Sequence, residues 1–278
     1  MGKRAQGLAV EVVGLTKHYV KSHFFKKTVS RGVEDLSLTV QRGEVFGLLG
    51  LNGAGKTTLM KLLVGLIYPD RGRISLLGGD PGDPTIMARF GYLPELPYLN
   101  LQFTAAELLE HFGRLYGLSA GARRERATRV LDMVRIGQAA TRRLSEYSKG
   151  MLQRVALAQA LIHDPDLIFL DEPMSGLDPL GYKEMRDILL SLRRQGKTLF
   201  FNSHLLEEVE KLCDRVGVMV EGRLAEQKEI ARILKKHKTL EEFFLKTVRP
   251  GPAVVRRKVS GAATPVPKNP GVFDRRAS

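Results

Sequence analysis

The 278-residue sequence has no apolar stretch of about 18 residues, the length at which a segment becomes a candidate membrane-spanning helix. Its first residues carry charges without a sustained apolar run or a cleavage site, so we expect no signal peptide. Cysteine is nearly absent, because Cys213 is the single one. The chain therefore cannot form an internal disulfide, and a reducing cytosol fits this composition best.

Acidic residues are also in short supply, since 30 Asp and Glu face 44 Lys and Arg and leave a net charge of +14. Such an excess indicates a polyanionic neighbour: a nucleotide, a nucleic acid or an acidic membrane face. The hydrophobic share of 43% and the charged share of 27% are ordinary for a globular protein. We find no internal repeat, so the length indicates one α/β core with a smaller appendage.

Part of the positive charge lies in residues 249–278, which hold seven Lys or Arg, one Asp and five Pro. Proline cannot continue a helix, and the stretch has too few apolar residues for a core, so we predict a disordered basic tail. A solvated extension and a segment attracted to anionic lipids both agree with this composition. The folded domain is accordingly predicted at residues 8–248.

Short apolar runs alternate with helical patterns along this domain, which indicates a parallel sheet with helices on its faces. The two N-terminal runs alternate as half-buried strands do, which favours an additional antiparallel β part. The predicted strands are Ala9–Val13, Val33–Val40, Val45–Leu49, Leu167–Leu170, Thr198–Phe201 and Val216–Val220. The predicted helices of this core are Thr57–Gly65, Gly181–Arg194 and Leu205–Lys211.

A helical subdomain, at about residues 96–163, is predicted to interrupt the alternation. Its first helix, Thr104–Gly117, opens with a Thr-Ala-Ala-Glu capping box and has an apolar face. Two more helices are expected at Gly121–Ile136 and Ser148–Leu161. The fold class predicted from these patterns is α/β, with a mostly parallel sheet and an inserted helical subdomain.

Residues 50–57 read Gly-Leu-Asn-Gly-Ala-Gly-Lys-Thr, the P-loop pattern, between a predicted strand and a predicted helix. The glycines let backbone N–H groups surround phosphates, which the positive end of the helix also attracts. We expect Lys56 to reach the β- and γ-phosphates and the Thr57 hydroxyl to bind Mg²⁺. The motif makes the predicted α/β core that of a P-loop NTPase. The expected nucleotide contacts in this loop are Gly50, Asn52, Gly53, Ala54, Gly55, Lys56, Thr57 and Thr58.

Asp171 and Glu172 follow the buried run Leu167–Leu170, at a strand end where open α/β sheets bind ligands. We predict that Asp171 holds Mg²⁺ and that Glu172 is the general base that deprotonates the attacking water. A P-loop with an acidic strand end still leaves GTPases, helicases and kinases open. The absence of an Asn-Lys-x-Asp guanine-reading motif disfavours a GTPase.

Residues 147–151, Tyr-Ser-Lys-Gly-Met, begin the third predicted helix and resemble the signature motif of ABC-type ATPases, Leu-Ser-Gly-Gly-Gln. Ser148 and Gly150 are the two members retained. The resemblance extends from about Val10 to Leu245, and the chain resembles an ATP-binding subunit of an ABC transporter. The signature and the segment Gly-Tyr-Leu-Pro-Glu at residues 91–95 are most similar to subunits of ABC-2 type exporters.

The resemblance implies a dimer in which two subunits enclose two ATP molecules head to tail, each P-loop facing the partner's signature. Ser148 and Gly150 would then contact nucleotide, while Tyr19 would stack on adenine. His204 matches the switch histidine that contacts the γ-phosphate, and Ser175–Asp178 resembles the loop along the dimer seam. Glu95 replaces the family's usual glutamine, which adds negative charge near Mg²⁺; the resemblance implies a role there or at the transmembrane contact.

The function implied is an ATPase, with ATP and Mg²⁺ as its ligands, that drives a separate transmembrane permease subunit, in the direction of export. The subunit would be peripheral, on the cytoplasmic face of the cell membrane. A second ATP-binding subunit, in a homodimer, and an anionic membrane surface would be its further partners. An ABC-type ATPase acting on nucleic acid or ribosomes is the alternative. This alternative is disfavoured because the ABC-type ATPases of translation carry two cassettes in one chain, and those of repair and chromosomes carry long coiled coils. This sequence shows neither feature. A regulator that binds nucleotide without hydrolysing it is disfavoured, because Lys56, Asp171 and Glu172 are all present.

Overall fold

The computed structural model describes residues 7–23 and 26–248. The predicted basic tail, residues 249–278, lies outside the described residues. The strands are β1 (Leu8–His23), β2 (Lys26–Gln41), β3 (Val45–Gly50), β4 (Arg71–Leu76), β5 (Phe90–Leu93), β6 (Leu167–Asp171), β7 (Thr198–Asn202), β8 (Arg215–Val220) and β9 (Arg223–Glu229). The helices are α1 (Lys56–Leu63), α2 (Pro84–Met87), α3 (Ala105–Leu115), α4 (Ala120–Met133), α5 (Lys149–Leu161), α6 (Pro179–Arg194), α7 (Leu206–Leu212), α8 (Ile230–Leu234) and α9 (Leu240–Val248).

The larger sheet has the order β5-β6-β7-β3-β8-β9, and all its pairs are parallel except β8 with β9. Its strands β6 and β7 are buried along their whole length, which explains why they appear in the sequence as continuous apolar runs. The order brings the carboxyl ends of β6, β7 and β3 side by side. The loops that follow these three strands therefore meet at one edge, as the predicted α/β fold requires.

The smaller sheet is antiparallel, with the order β2-β1-β4, and confirms the predicted N-terminal β part. Strand β1 is much longer than the predicted Ala9–Val13. The apolar alternation fades after Gly14, where φ is +58° and the pairing with β2 shifts register, yet the chain continues as a polar strand. Helix α1 packs between the two sheets, because Leu59 and Leu63 share one apolar core with Val10 of β1 and Phe46 of β3.

Helices α3, α4 and α5 follow β5 and precede β6 along the chain, and they form the predicted helical insertion. The capping box at α3 is present, since the Thr104 N–H donates to Glu107 Oε2 at 2.8 Å and the Glu107 N–H donates to Thr104 Oγ1 at 3.1 Å. Helix α4 ends three residues before the predicted Ile136, because Arg135 adopts a left-handed φ of +58°. Within residues 7–23 and 26–248, no helix has both the length and the apolar character needed to cross a bilayer.

Candidate nucleotide-binding site

A cleft of about 590 Å³ opens at the edge where β3, β6 and β7 end. It brings together the predicted P-loop contacts and the predicted acidic and histidine residues. Its lining consists of Arg31, Gly32, Asn52, Gly53, Ala54, Gly55, Lys56, Thr57, Thr58, Glu95, Asp171, Glu172, Asn202 and His204. Among the predicted loop contacts, Gly50 stands just behind this lining, as the last residue of β3.

The loop between β3 and α1 has the backbone of an anion-binding cradle. Gly53 and Gly55 have φ values of +80° and +101°, in the region that favours glycine. In the described part of the chain, the N–H groups of Asn52, Gly53 and Gly55 have no acceptor. A side chain on Gly55 would collide with the Gly32 carbonyl oxygen. The loop therefore presents free N–H donors at the start of α1, where the helix dipole favours negative charge.

Lys56 begins α1 and its side chain folds back across the loop. Its Nζ donates to the Gly50 carbonyl oxygen at 2.6 Å and to the Leu51 carbonyl oxygen at 3.2 Å. Burial lowers the pKa of the Lys56 ammonium, while the charges of Glu172 and Asp171 oppose this shift. The ammonium is thus held in the cleft by two carbonyls, in a position to exchange them for phosphate oxygens.

Asp171 is the last residue of β6, and it is nearly fully buried. Burial raises the pKa of its carboxyl, and the hydrogen bond from the Asn202 side chain opposes that rise. The negative charge of Glu95 raises this pKa further. A cation in the cleft would therefore stabilise the ionised form of the Asp171 carboxyl.

Glu172 follows in a constrained turn, with a left-handed φ of +49° that non-glycine residues rarely adopt. Its N–H donates both to Asn202 Oδ1 at 3.0 Å and to the Asn202 carbonyl oxygen at 3.2 Å. Asn202 itself is buried at the end of β7. The turn aims the Glu172 side chain into the cleft, and the neighbouring strand maintains the strained backbone.

His204 lies two residues beyond β7 and contacts the same carboxylate. Its Nδ1 is 2.8 Å from Glu172 Oε2, and its backbone N–H donates to that oxygen at 3.4 Å. Burial raises the pKa of the Glu172 carboxyl, and the charge and hydrogen bonds of His204 oppose the rise. The structure therefore joins the predicted base and the predicted switch histidine directly.

Known proteins resemble this chain in sequence and in fold. The sequence matches the ABC transporter family over residues 33–175, a little more than half of the chain and a span that includes the P-loop, the signature and the Asp171–Glu172 turn. The chain belongs to the ABC transporter family. The resemblance inferred from the motifs is thereby confirmed.

Two relatives illustrate the match. An uncharacterised ABC transporter ATP-binding protein of Nostoc sp. is 55% identical over 201 residues, which is 72% of this chain and 59% of that protein. A Nod factor export ATP-binding protein I of Burkholderia lata is 44% identical over 206 residues, which is 73% of this chain and 67% of that protein. The chain thus spans less than two thirds of the length of the Nostoc relative.

Solved structures share the fold over most of this ABC transporter chain. An ATP-binding subunit of an ABC transporter superposes with a TM-score of 0.73 at 30% identity, covering 86% of this chain and 99% of that one. A dimeric ATP-binding cassette in a post-hydrolysis state, bound to ADP and Pi, superposes with a TM-score of 0.70 at 24% identity, covering 80% of this chain and 98% of that one. The predicted fold class is therefore confirmed.

The oxygen donors in the cleft fit Mg²⁺, the ion that the ABC transporter family implies. The Thr57 hydroxyl and the carboxylates of Glu95 and Asp171 all line one space, and hard oxygen ligands are those that Mg²⁺ prefers. Within the described residues there is no group of three or more His, Cys, Asp or Glu arranged to hold a metal alone. Mg²⁺ held by these oxygens would keep waters and phosphate oxygens as its other ligands.

Tyr19 lies on β1, beside the cleft but outside its lining. Its hydroxyl is 3.4 Å from Thr58 Oγ1, and the residue is 37% exposed. The partly exposed tyrosine thus lies next to the first turn of α1. This position agrees with the predicted stacking on adenine, which stays a prediction.

Ser148 and Gly150, the signature residues, do not line this cleft. Ser148 caps α5, with its Oγ accepting from the Met151 N–H at 3.3 Å. A side chain added at Gly150 would meet no atom closer than 3.8 Å. A β-carbon at position 150 would therefore make only ordinary van der Waals contacts within this chain, and the predicted nucleotide contact of Ser148 and Gly150 stays a prediction.

Three residues of the cleft were not predicted: Arg31, Gly32 and Asn202. Asn202 had a signal in the sequence, since a lone amide ends a strand of buried apolar residues beside the acidic strand. Arg31 and Gly32 had none, because they belong to a polar strand whose approach to α1 is set by the packing of the two sheets.

Proposed function

We propose that this chain is the ATP-binding and ATP-hydrolysing subunit of an ABC transporter. The observation that carries the proposal is the convergence of Lys56, Asp171 and Glu172 on one cleft, beside a loop of free N–H donors. Phosphoryl transfer depends on positioning and on electrostatic stabilisation, and this cleft supplies both. ATP is the substrate, and its phosphates lie along the loop.

In this proposal Glu172 is the general base. Its carboxylate accepts a proton from the attacking water, whose oxygen forms a bond to the γ-phosphorus. The bond from that phosphorus to the β–γ bridging oxygen breaks, and the products are ADP and phosphate. His204 orients the Glu172 carboxylate through the contacts described above and reaches the γ-phosphate with its other ring nitrogen. Mg²⁺, when bound, neutralises charge on the phosphates.

Ser148 and Gly150 act on the nucleotide of a second copy of the chain. The proposal is supported by their position outside this chain's own cleft and by the room for a β-carbon at Gly150, where the nearest atom outside the adjacent residues and the helix backbone is 3.8 Å away. A helix start capped by serine offers N–H donors to an anion. Two copies arranged head to tail thus complete two sites, as a homodimer around two ATP molecules.

The membrane partner is a separate transmembrane permease subunit, and export is the proposed direction because relatives are named as Nod factor export proteins. Glu95 is followed by two strongly exposed apolar residues, Leu96 at 65% and Tyr98 at 97%. Apolar side chains exposed in this way mark a surface for a protein partner. We place that contact beside the cleft, where nucleotide and partner influence the same segment, on the cytoplasmic face of the membrane.

The basic segment 249–278 adds a second proposed membrane contact, with anionic lipid headgroups. Removal of these residues leaves the ATPase rate unchanged and lowers binding to vesicles that contain anionic lipid at low salt. Equal vesicle binding with and without the segment refutes this contact. Duplex DNA, tested in parallel, distinguishes a lipid contact from attraction to any polyanion.

Equilibrium titration of ATP and measurement of phosphate release test the activity. Lys56→Ala deletes the ammonium in the loop, so we expect strongly weakened ATP binding and no turnover. Lys236→Ala is the control, because Lys236 is an exposed lysine that follows α8 and lies outside the cleft lining. Equal ATP affinity of the parent and Lys56→Ala contradicts the proposed site. Co-purification from membranes then identifies the permease.

A further inference from the structure

Arg31, on β2, brings a cation into the cleft opposite the loop of Lys56. Among the described lining residues, these two carry the only permanent positive charges, against the three carboxylates of Glu95, Asp171 and Glu172. A polyphosphate adds several more negative charges to this space. A second cation in the cleft is therefore electrostatically favourable as soon as nucleotide is bound.

Within the described residues, the guanidinium of Arg31 has one long ion pair, with Glu34. Its Nε is 4.0 Å from Glu34 Oε2, at the limit of an ion pair, and His18 Nε2 is already 2.8 Å from the same oxygen. No described residue accepts a hydrogen bond from the Arg31 side chain, which is 66% exposed. Its fork of N–H donors is therefore free to bind a ligand.

The residue that follows Arg31 packs against two of the predicted nucleotide contacts, Thr58 and Tyr19. A side chain added at the next residue, Gly32, would meet the Thr58 methyl at 2.8 Å and the Tyr19 ring at 2.9 Å. Gly32 thus lies between the Tyr19 ring and the first turn of α1, and Arg31 adjoins it in the cleft lining. The inner phosphates of a nucleotide lie along this stretch when the base is at Tyr19 and the terminal phosphate at Lys56.

From these contacts we propose that Arg31 is a nucleotide-binding residue whose guanidinium binds the α- or β-phosphate of ATP. The inference rests on the proposed function, because it assumes ATP in this cleft. A guanidinium presents paired donors that match two phosphate oxygens, and such charge-assisted bonds are stronger than neutral ones. Arg31 adds affinity for nucleoside di- and triphosphates without taking part in the proton transfer at Glu172.

A solvated arginine near Glu34 is the alternative, and the structure offers a matched control for it. Arg223 Nη2 is 3.8 Å from Glu34 Oε1 and its side chain is 56% exposed, yet Arg223 does not line the cleft. The two arginines thus share an acidic neighbour and a similar exposure. They differ in their access to the nucleotide.

Calorimetric titration with ATP, ADP and adenosine, in the presence of Mg²⁺, tests the inference. The full chain is compared with Arg31→Gln, Arg31→Lys and Arg223→Gln. For Arg31→Gln we expect about tenfold weaker binding of both ATP and ADP and unchanged binding of adenosine, since a charge-assisted bond is lost. Arg31→Lys should recover part of the affinity, and Arg223→Gln should bind as the parent does.

Several outcomes overturn the inference. Unchanged affinity in Arg31→Gln removes the contact, and an equal loss in Arg223→Gln reduces it to a general effect of surface charge. A loss confined to ATP moves the contact to the γ-phosphate, and a loss shared by adenosine moves it to the nucleoside; either contradicts the assignment. If the parent chain itself binds neither ATP nor ADP, the proposed function fails, and this result is distinct from the others.

Discussion

The carboxylate of Glu172 and the ring of His204 are in direct contact, with 2.8 Å between Oε2 and Nδ1. They come from the ends of two neighbouring strands, β6 and β7, so the sheet itself sets their separation. The backbone N–H of His204 points to the same oxygen at 3.4 Å. One residue thus fixes the orientation of the proposed general base before any substrate is bound.

Replacement of Glu172 by glutamine removes the proposed base and keeps the size of the side chain. We expect Glu172→Gln to bind ATP like the parent and to hydrolyse it about 10²–10⁴-fold more slowly, the usual contribution of a general base. The ATP-bound dimer should also persist, which size-exclusion chromatography detects. Glu221→Gln is the control, because Glu221 has the same φ of +49° and lies outside the cleft lining. Near-normal turnover in Glu172→Gln would falsify the assignment.

The pH dependence of turnover tests the contact with His204. Burial raises the pKa of the Glu172 carboxyl, so the rate should fall with decreasing pH at values above the ordinary 4.5 of glutamate. His204 opposes this rise, and its loss should raise the pKa of Glu172 further. The acidic limb of the single-turnover rate should therefore move to higher pH in His204→Ala. His111→Ala, an exposed histidine outside the cleft lining, should leave the limb in place, and a shift to lower pH in His204→Ala refutes the account.

Asn202 is predicted to support both the stability of the protein and the position of Glu172. Asn202→Ala removes a buried acceptor of the Glu172 N–H, so the free energy of unfolding should fall by about 1–3 kcal/mol. Urea titration measures this change. Asn100→Ala removes a similar acceptor, of the Gln102 N–H at 3.1 Å, from an exposed loop, and should cost much less. Equal effects of the two substitutions would show that the buried bond is not special.

The parts of the site that the sequence predicts are those in which local pattern and chemistry coincide. The P-loop and the Asp171–Glu172 pair each lie at the end of a continuous apolar strand, so their meeting at one sheet edge follows from the parallel topology. The capping box of α3 was found for the same reason, since Thr104 and Glu107 interact over three residues.

Long-range packing accounts for what the sequence did not reveal. Strand β1 continues to His23 through polar residues because β2 pairs with it, a partner that the alternation of Ala9–Val13 does not indicate. Arg31 reaches the cleft only because the smaller sheet packs over α1. The left-handed φ of Glu172 is likewise maintained by a bond to another strand, and no feature of Glu172 itself predicts it.

The most direct test of the shared site mixes two inactive variants, Lys56→Ala and Ser148→Arg, after circular dichroism has shown that each is folded. The first has a damaged P-loop and an intact signature, and the second has the reverse. In a head-to-tail mixed dimer, one site combines the two intact parts. We predict that the mixture recovers partial ATPase activity or, with Glu172→Gln in both chains, ATP-dependent dimerisation. No recovery in either assay, with mixed dimers demonstrated by cross-linking, would contradict the account.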